Sequence, residues 1–338
     1  MSANEDHVGY VRLVQFSRSD GALGIGQLDE GDKLTELAVE GGLRELALDA
    51  IANAQPLIDA VKARRSGVQH SLAELLQASR VLPPVSHPDP AHCLVSGTGL
   101  THLASAEGRN AMHASDVETA TDSLRMYRAG LAGGKPAAGS VGAQPEWFYK
   151  GDGSIIAAPG APLCRPHFAL DGGEEPELVG VYVIDPHGSP RRIGFSFGNE
   201  FSDHVLEKQN YLLLAHSKLR SCSLAPEIII GDLPRSMTGR VRISRGTTER
   251  WSADFRTGED NMCHSLANLE HHHFKYQQFR QAGDIHVHFF GTSTLSFMDG
   301  VEIAAGDVIE IELPPFSRSL TNTIEIAAEE NMQEALPL

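Results

Sequence analysis

Residues 174–184 read Glu-Glu-Pro-Glu and then, without a break, Leu-Val-Gly-Val-Tyr-Val-Ile. A short unbroken apolar run rich in β-branched valine suits a strand buried on both faces. Along a strand, residues i and i+2 share a face, so Glu175 and Glu177 stand side by side where this one begins. Two carboxylates that close repel each other and need a partner. A hard divalent cation meets the need, because Mg²⁺, Mn²⁺ and Ca²⁺ take oxygen ligands. An acidic turn in water is the competing reading, and Glu-x-Glu in isolation favours it.

One hairpin further on, the β-like run Ile193–Phe197 leads into Gly198-Asn199-Glu200-Phe201-Ser202-Asp203-His204. Glu200 can complete a site of three carboxylates that keeps positions open for water and a chelating substrate. The alternative for this segment is a helix N-terminus that favours acids, and Asp203 with His204 fits it better than Glu200 does. Downstream, Lys218 stands in a largely apolar stretch ending at Ala225-Pro226. A lysine in such surroundings can have its pKa lowered for proton transfer, or can simply snorkel at the surface.

The chain holds 16 histidines, with His271, His272 and His273 consecutive. Successive helix residues point about 100° apart, so these three cannot share one metal, and they read as a partly buried helix face or an interface. His286 and His288 share a strand face, where a hydrogen-bonded core pair is favoured over a second metal site. Arg109, Arg125 and Arg128 either meet an anionic substrate or form surface salt bridges.

Composition removes several classes. With 28 Lys+Arg against 44 Asp+Glu the net charge is −16, and no basic stripe offers itself to a phosphate backbone, so nucleic acid is not an expected partner. No apolar run is long enough to cross a membrane, and the amino terminus is polar and acidic, which gives an expectation of a cytoplasmic protein. Cys93, Cys164, Cys222 and Cys263 lie far apart without a CxxC pair and read as four buried thiols.

Alternation from Tyr10 to Phe16 followed by Ser19-Asp20-Gly21 predicts an opening hairpin, and spacings of three to five between Leu43 and Ala78 predict two or three helices. Pro83, Pro84, Pro88 and Pro90 then punctuate a connector, which sets off residues 1–85 as a small N-terminal α/β domain. After a short strand at Cys93–Gly97, residues 100–132 read mostly as helix, and the Gly/Ala/Ser-rich stretch at 132–144 reads as a functional or mobile loop. From Trp147 onward short β-like runs dominate: 178–184, 192–197, 227–230, 239–244, 286–290 and 308–313. The one clear late helix is expected at about 262–279.

The order of these blocks resembles the fumarylacetoacetate hydrolase superfamily over about residues 92–326. Phe148, Lys150, Ser154, Pro159 and Gly160 approximate the segment that precedes Glu-x-Glu in that family. Ala282-Gly283-Asp284-Ile285 leading into Phe290-Gly291-Thr292, and Ala305-Gly306-Asp307-Val308, resemble its later blocks, with Ser293 where proline is usual. The resemblance implies an α+β fold with a mixed β-roll body at 92–330 and a lid at about 99–146. It further implies Mg²⁺ or Mn²⁺ held by Glu175, Glu177 and Glu200, a 2-oxo acid substrate, and a homodimer. Glu200 is a departure, since most relatives carry aspartate there. By the same resemblance Lys218 is catalytic, Thr292 with Gly291 receives the substrate carboxylate, and Lys150 with Ser154 supports the substrate side.

The family's lid motif, Tyr-x-x-His-x-x-Glu, meets Gly99-Leu100-Thr101-His102-Leu103-Ala104-Ser105 here. His102 is in register and Ser105 replaces the glutamate, so a His-Glu pair that activates water is incomplete. This turns the expectation from carbon-carbon hydrolysis toward a hydro-lyase that dehydrates a 2-keto-3-deoxy sugar acid of pentonate type. Lys218 or His102 would take the C3 proton, protonated His102 would assist loss of the C4 hydroxyl, and a 2,5-dioxo acid would result. The alternative is a hydrolase cleaving an acylpyruvate or a 2,4-diketo-3-deoxy sugar acid. A non-catalytic ligand-binding relative is a third reading, kept open by Glu200 and Ser105.

Overall fold

The computed structural model describes residues 9–103 and 121–338. Every residue of the strand Pro176–Ile184 is buried, the outcome its apolar run requires. It pairs antiparallel with Pro190–Asn199 on one side and with Ile285–Phe289 on the other. Among the described residues these belong to a twelve-stranded mixed sheet. Cys93–Gly97 pairs parallel to Ile285–Phe289, and Phe148–Asp152 then closes that edge antiparallel.

Alternation along the central strand separates two cores. Leu178, Tyr182 and Ile184 pack with Val241, Ile243, Ile309 and Ile311 of a second, five-stranded sheet. Val179, Val181 and Val183 pack with Leu43, Leu46 and Val61 from the helices Leu43–Ala52 and Leu57–Ala63. Helices, large sheet and small sheet therefore form three layers, an α+β arrangement in which each apolar face has a partner. The small sheet exposes its other face. Met237–Arg245 alternates buried and outward residues, and outward Arg240 and Arg242 pair across strands with Asp254 and Glu310.

The N-terminal segment does not stand apart from this sheet. The hairpin Val11–Ser17 and Leu23–Leu28 forms as expected, and its first strand pairs with Ile228–Ile230 in the register Val11↔Ile230. The proline connector redirects the chain without ending the hydrogen-bonded ladder, so the large sheet is continuous across the boundary expected at 85–92. Within the stretch of helical spacing, Arg65–Ser71 is a strand on Lys33–Leu37. Its side chains are largely exposed, so edge pairing rather than an apolar pattern makes it a strand. Thr248–Thr257 and Leu320–Ile326 are further strands that their polar outward residues concealed.

The late helix is shorter than expected, Leu266–Phe274, because Ser265 caps it by accepting from Asn268 N at 3.2 Å. The stretch after the helix Asp122–Gly133 is irregular, as its composition requires, but it is tied down. Gly142 N donates to Asn268 Oδ1 at 2.9 Å, Asn268 Nδ2 donates to the Ala143 carbonyl at 2.8 Å, and His272 Nε2 lies 3.0 Å from the Gly142 carbonyl. Cys93, Cys222 and Cys263 are buried thiols, whereas Cys164 is exposed on the short strand Leu163–Arg165. No described helix is long and apolar enough to cross a membrane.

Candidate active site

The central hairpin builds the site at its open end. In its register Asn199 pairs with Pro176 and Gly198 with Glu177, so Glu175 and Glu200 fall opposite each other one step beyond the strands. Glu200 N donates to the Glu175 carbonyl at 3.0 Å and extends the ladder by that step. Glu175 and Glu177 continue the odd-numbered row of valines, and Glu200 joins them from across the hairpin. Their carboxylate oxygens lie within 4.8 Å of one another and all three residues are buried. Among the described residues no other group of three His, Cys, Asp or Glu side chains meets this spacing. Glu174 turns away and accepts from Ser296 N at 2.6 Å and Ser296 Oγ at 2.7 Å, which makes it a loop anchor.

Two lysines meet the triad. Lys150, on the strand Phe148–Asp152, brings Nζ to 2.5 Å from Glu200 Oε1 and donates to the carbonyls of Glu200, Phe201 and Lys218 at 2.7–3.0 Å. Lys218 Nζ donates to Glu175 Oε1 and, at 2.8 Å, to Glu200 Oε2, and lies 5.0 Å from the Phe148 ring centroid. Burial opposes the Lys218 ammonium, but the charges of Glu175, Glu200 and Glu207 outweigh it and hold its pKa well above the ordinary value. That is the reverse of the lowered pKa expected from its apolar sequence context. The carboxylates that set it come from other elements of the fold.

The three acids differ in electrostatics. Burial alone would raise all of them, yet Lys218 and His204 hold Glu175 well below the usual carboxylate range. Glu177 is raised well above it, by burial and by the charges of Glu175 and Glu200. Glu200 is raised by burial against the pull of Lys150 and Lys218. Glu177 Oε2 accepts from Gly291 N at 2.7 Å. Gly291 follows the strand Ile285–Phe289 with φ +91°, a conformation that favours glycine, and a Cβ there would collide with Thr101 Oγ1 and the Thr98 carbonyl.

A pocket opens over the triad. Glu175, Glu177, Lys218, Gly291 and Thr292 line it together with the polar side chains of Glu146, His204, Glu207, Lys208 and Tyr211 and the apolar ones of Leu100, Leu295, Phe297 and Met298. Of the residues singled out in the sequence, Lys150 and Glu200 are buried and do not line it. Ser154 is exposed and bonded to Asp152 at 2.5 Å, away from the pocket. It does not meet the substrate side as expected, because it sits in the turn past the edge strand.

His102 is likewise not among the lining residues. It is 1 % exposed, with Nδ1 3.1 Å from Thr101 Oγ1 and Nε2 3.1 Å from Thr257 Oγ1. Burial pushes its pKa down to about 4, so at neutral pH it is uncharged and is no proton donor of the kind expected. It braces the turn beneath Gly291 instead. Ser105 and Arg109 lie outside the described residues; Arg125 forms a surface ion pair with Asp122 at 2.8 Å, and Arg128 is exposed.

The sequence reading did not place His204, Glu146 or Tyr211 at the site. Asp203 caps the helix His204–Gln209, accepting from Leu206 N at 2.9 Å, but His204 leaves that role and places Nε2 3.1 Å from Glu175 Oε1. Burial opposes the His204 cation, and Asp171 with Glu175 raises its pKa to about 10. Glu146 is 3 % exposed and accepts from Tyr211 Oη at 3.0 Å. A signal existed for Glu146, since it precedes Phe148 and Lys150 at the period of two that marks one strand face.

By sequence alone, no family model and no curated protein matches this chain. Solved structures do. 2-Keto-3-deoxy-D-arabinonate dehydratase in its apo form superposes with a TM-score of 0.69 at 16% identity, covering 94% of this chain and 100% of that one. The form described as complexed with magnesium and 2,5-dioxopentanoate gives the same TM-score, identity and coverage. 5-Carboxymethyl-2-hydroxymuconate delta-isomerase from Mycobacterium smegmatis superposes at 0.56 with 17% identity, covering 94% of this chain and 100% of that one. The fold is therefore the one the sequence motifs anticipated, the α+β fold of the fumarylacetoacetate hydrolase type.

Proposed function

We propose that this chain is a divalent-metal-dependent hydro-lyase that dehydrates a 2-keto-3-deoxy sugar acid to a 2,5-dioxo acid. The observation that carries the reading is the convergence of Glu175, Glu177 and Glu200 beside a pocket that also holds Thr292 and Lys218. An all-oxygen donor set suits Mg²⁺ or Mn²⁺. Glu175, Glu177 and Glu200 would hold the ion, which supplies Lewis-acid polarisation of a 2-oxo acid carbonyl.

The chain's own groups do the rest. Gly291 N fixes Glu177, and the Thr292 hydroxyl, next along the pocket wall, offers a hydrogen bond to the substrate carboxylate. Lys218 in its charged state orients Glu175 and Glu200 and stabilises negative charge on the substrate. Of the two pocket carboxylates outside the triad, Glu146 and Glu207, the reading assigns the C3 proton to Glu146, whose Oε2 accepts from Tyr211 Oη. The C3 proton and the C4 hydroxyl leave as one water, a proton then passes from C5 to C3, and ketonisation of the resulting C5 enol by protonation at C4 completes the 2,5-dioxo acid. The solved dehydratase with magnesium and 2,5-dioxopentanoate supports this substrate class.

One observation favours a second reading. The apolar lining residues Leu100, Leu295, Phe297 and Met298 suit a less hydroxylated 2-oxo acid, on which the same proton abstraction gives an isomerisation, and solved isomerases share the fold. A mass-spectrometric assay with 2-keto-3-deoxy sugar acids, acylpyruvates and unsaturated 2-oxo acids, with Mg²⁺ and with chelator, separates them. Metal-dependent loss of one water supports the hydro-lyase. Pyruvate release identifies a hydrolase, and a product of unchanged mass an isomerase. The proposal includes a cytoplasmic homodimer, for which exposed Phe168, Leu170 and Leu219 offer apolar surface; light scattering tests it.

A further inference from the structure

Residues 146–150 carry different tasks on alternate positions. Glu146 and Phe148 line the pocket, and Lys150 grips Glu200. Trp147 points the other way, where its Nε1 donates to His273 Nδ1 at 3.1 Å. His273 is 1 % exposed, stacks on Phe279 at 5.0 Å with an interplanar angle of 8°, and brings Nε2 to 2.9 Å from His286 Nδ1.

The indole sets the order of donors and acceptors along these three side chains. An indole nitrogen only donates, so His273 Nδ1 accepts and its proton sits on Nε2, from which it donates to His286 Nδ1. Both imidazoles are neutral, since burial pushes His286 down to about 4 and His273 well below its ordinary value. A leucine would fill the site of His273 without the cost of burying a polar ring. What the imidazole adds is direction, a fixed acceptor that sets the indole's orientation.

We propose that Trp147, His273 and His286 form a positioning relay for Glu146, fixing the backbone from which that carboxylate enters the pocket. The proposal rests on the reading of this pocket as the reaction site. Two further constraints close on the Glu146 side chain: Tyr211 holds Oε2, and a Cβ at Gly99 would overlap Oε1. Side-chain contacts thus restrain the carboxylate, while the relay anchors the chain next to it. In glutamates used for proton transfer, a displacement of about 1 Å costs on the order of 100-fold in rate.

The test uses His273→Leu, Trp147→Phe, their combination, and His273→Asn, whose amide oxygen falls near the position of Nδ1. The relay predicts a fall in kcat of about tenfold or more for each single variant, KM and Mg²⁺ affinity within about twofold, and no further loss in the double variant. It also predicts partial recovery in His273→Asn relative to His273→Leu. Unchanged kcat, or losses in kcat and Mg²⁺ affinity that move together, overturn it. A second readout needs no turnover. Trp147 and Trp251 are the only tryptophans, so Trp251→Phe leaves Trp147 as sole reporter. Its emission is expected to change on adding Mg²⁺ with oxalate, and this response is expected to be lost when His273→Leu is introduced. A wild-type protein that turns over no substrate yet shows this difference sinks the proposed function and keeps the relay. Turnover with an emission response indifferent to His273 does the opposite.

Discussion

Glu175 and Glu200 face each other across the open end of one antiparallel hairpin, joined by the Glu200 N to Glu175 carbonyl hydrogen bond at 3.0 Å. Their carboxylates are held together by the single ammonium of Lys218, which donates to both. Like charges are thereby kept within reach of one another by a backbone ladder and a shared cation.

Removal of one member should abolish metal binding before it abolishes the fold. Glu200→Gln is expected to weaken Mg²⁺ or Mn²⁺ affinity by more than about 100-fold, since changes in groups that merely orient metal ligands cost about 10- to 100-fold. Calorimetric titration checks this. In the wild-type protein, saturating metal should raise the unfolding free energy by about 2.7 kcal/mol at a hundred times Kd, an effect that Glu200→Gln should lose.

Glu146→Gln separates proton transfer from metal binding. The amide keeps the shape and the bond to Tyr211 but is no base, so kcat should fall by about 100-fold or more while Mg²⁺ affinity stays unchanged. Steady-state kinetics with a metal titration decide it; an equal loss of both would remove Glu146 from the proton-transfer role.

Gly291→Ala should damage site and fold together. At φ +91° an alanine is strained, and its Cβ meets Thr101 Oγ1, so a loss of about 1–3 kcal/mol is expected in urea unfolding. Displacing the 291 N–H also frees Glu177, so activity should fall further than stability explains.

Lys150→Met leaves Glu200 buried without its nearer cation. Breaking a buried pair costs about 3–5 kcal/mol, and both side chains here are fully shielded from water. Urea unfolding in chelator should show this loss, and saturating Mg²⁺ should recover part of it.

Acid should destabilise the protein through its buried neutral histidines. Burial holds His102 and His286 down to about 4 and His288 to about 3. Unfolded, each titrates near ~6.5, so between that pH and the folded value the unfolded chain binds more protons and stability falls as pH falls. The slope reaches ~1.4 kcal/mol per pH unit per histidine. Glu174 and Glu177, with raised pKa values, contribute in the opposite direction. Comparing wild type with His288→Leu isolates one histidine: urea midpoints measured from pH 7 to 5 should decline less steeply in the variant.

The Glu-x-Glu pair and the valine row behind it were legible in the sequence because strand alternation is local: a period of two puts Glu175, Glu177, Val179 and Val181 on one face whatever surrounds them. The opening hairpin was legible for the same reason. Thr248–Thr257 was not, since only a partner strand distinguishes its polar outward face from a loop.

What the sequence by itself determined is thus the presence of two carboxylates at the head of a buried strand, with the charge and alternation that come with them. Tertiary structure alone decided which polar groups meet them. Lys218 is charged rather than neutral because Glu175 and Glu200 arrive from two strands. His102 braces a turn under Gly291, while His204, read as part of a helix start, joins Glu175. Glu146 enters the pocket between Gly99 and Tyr211, residues far from it in the chain. Protonation and hydrogen bonding depend on burial and on neighbours brought by other elements, and those are properties of packing that local periodicity does not contain.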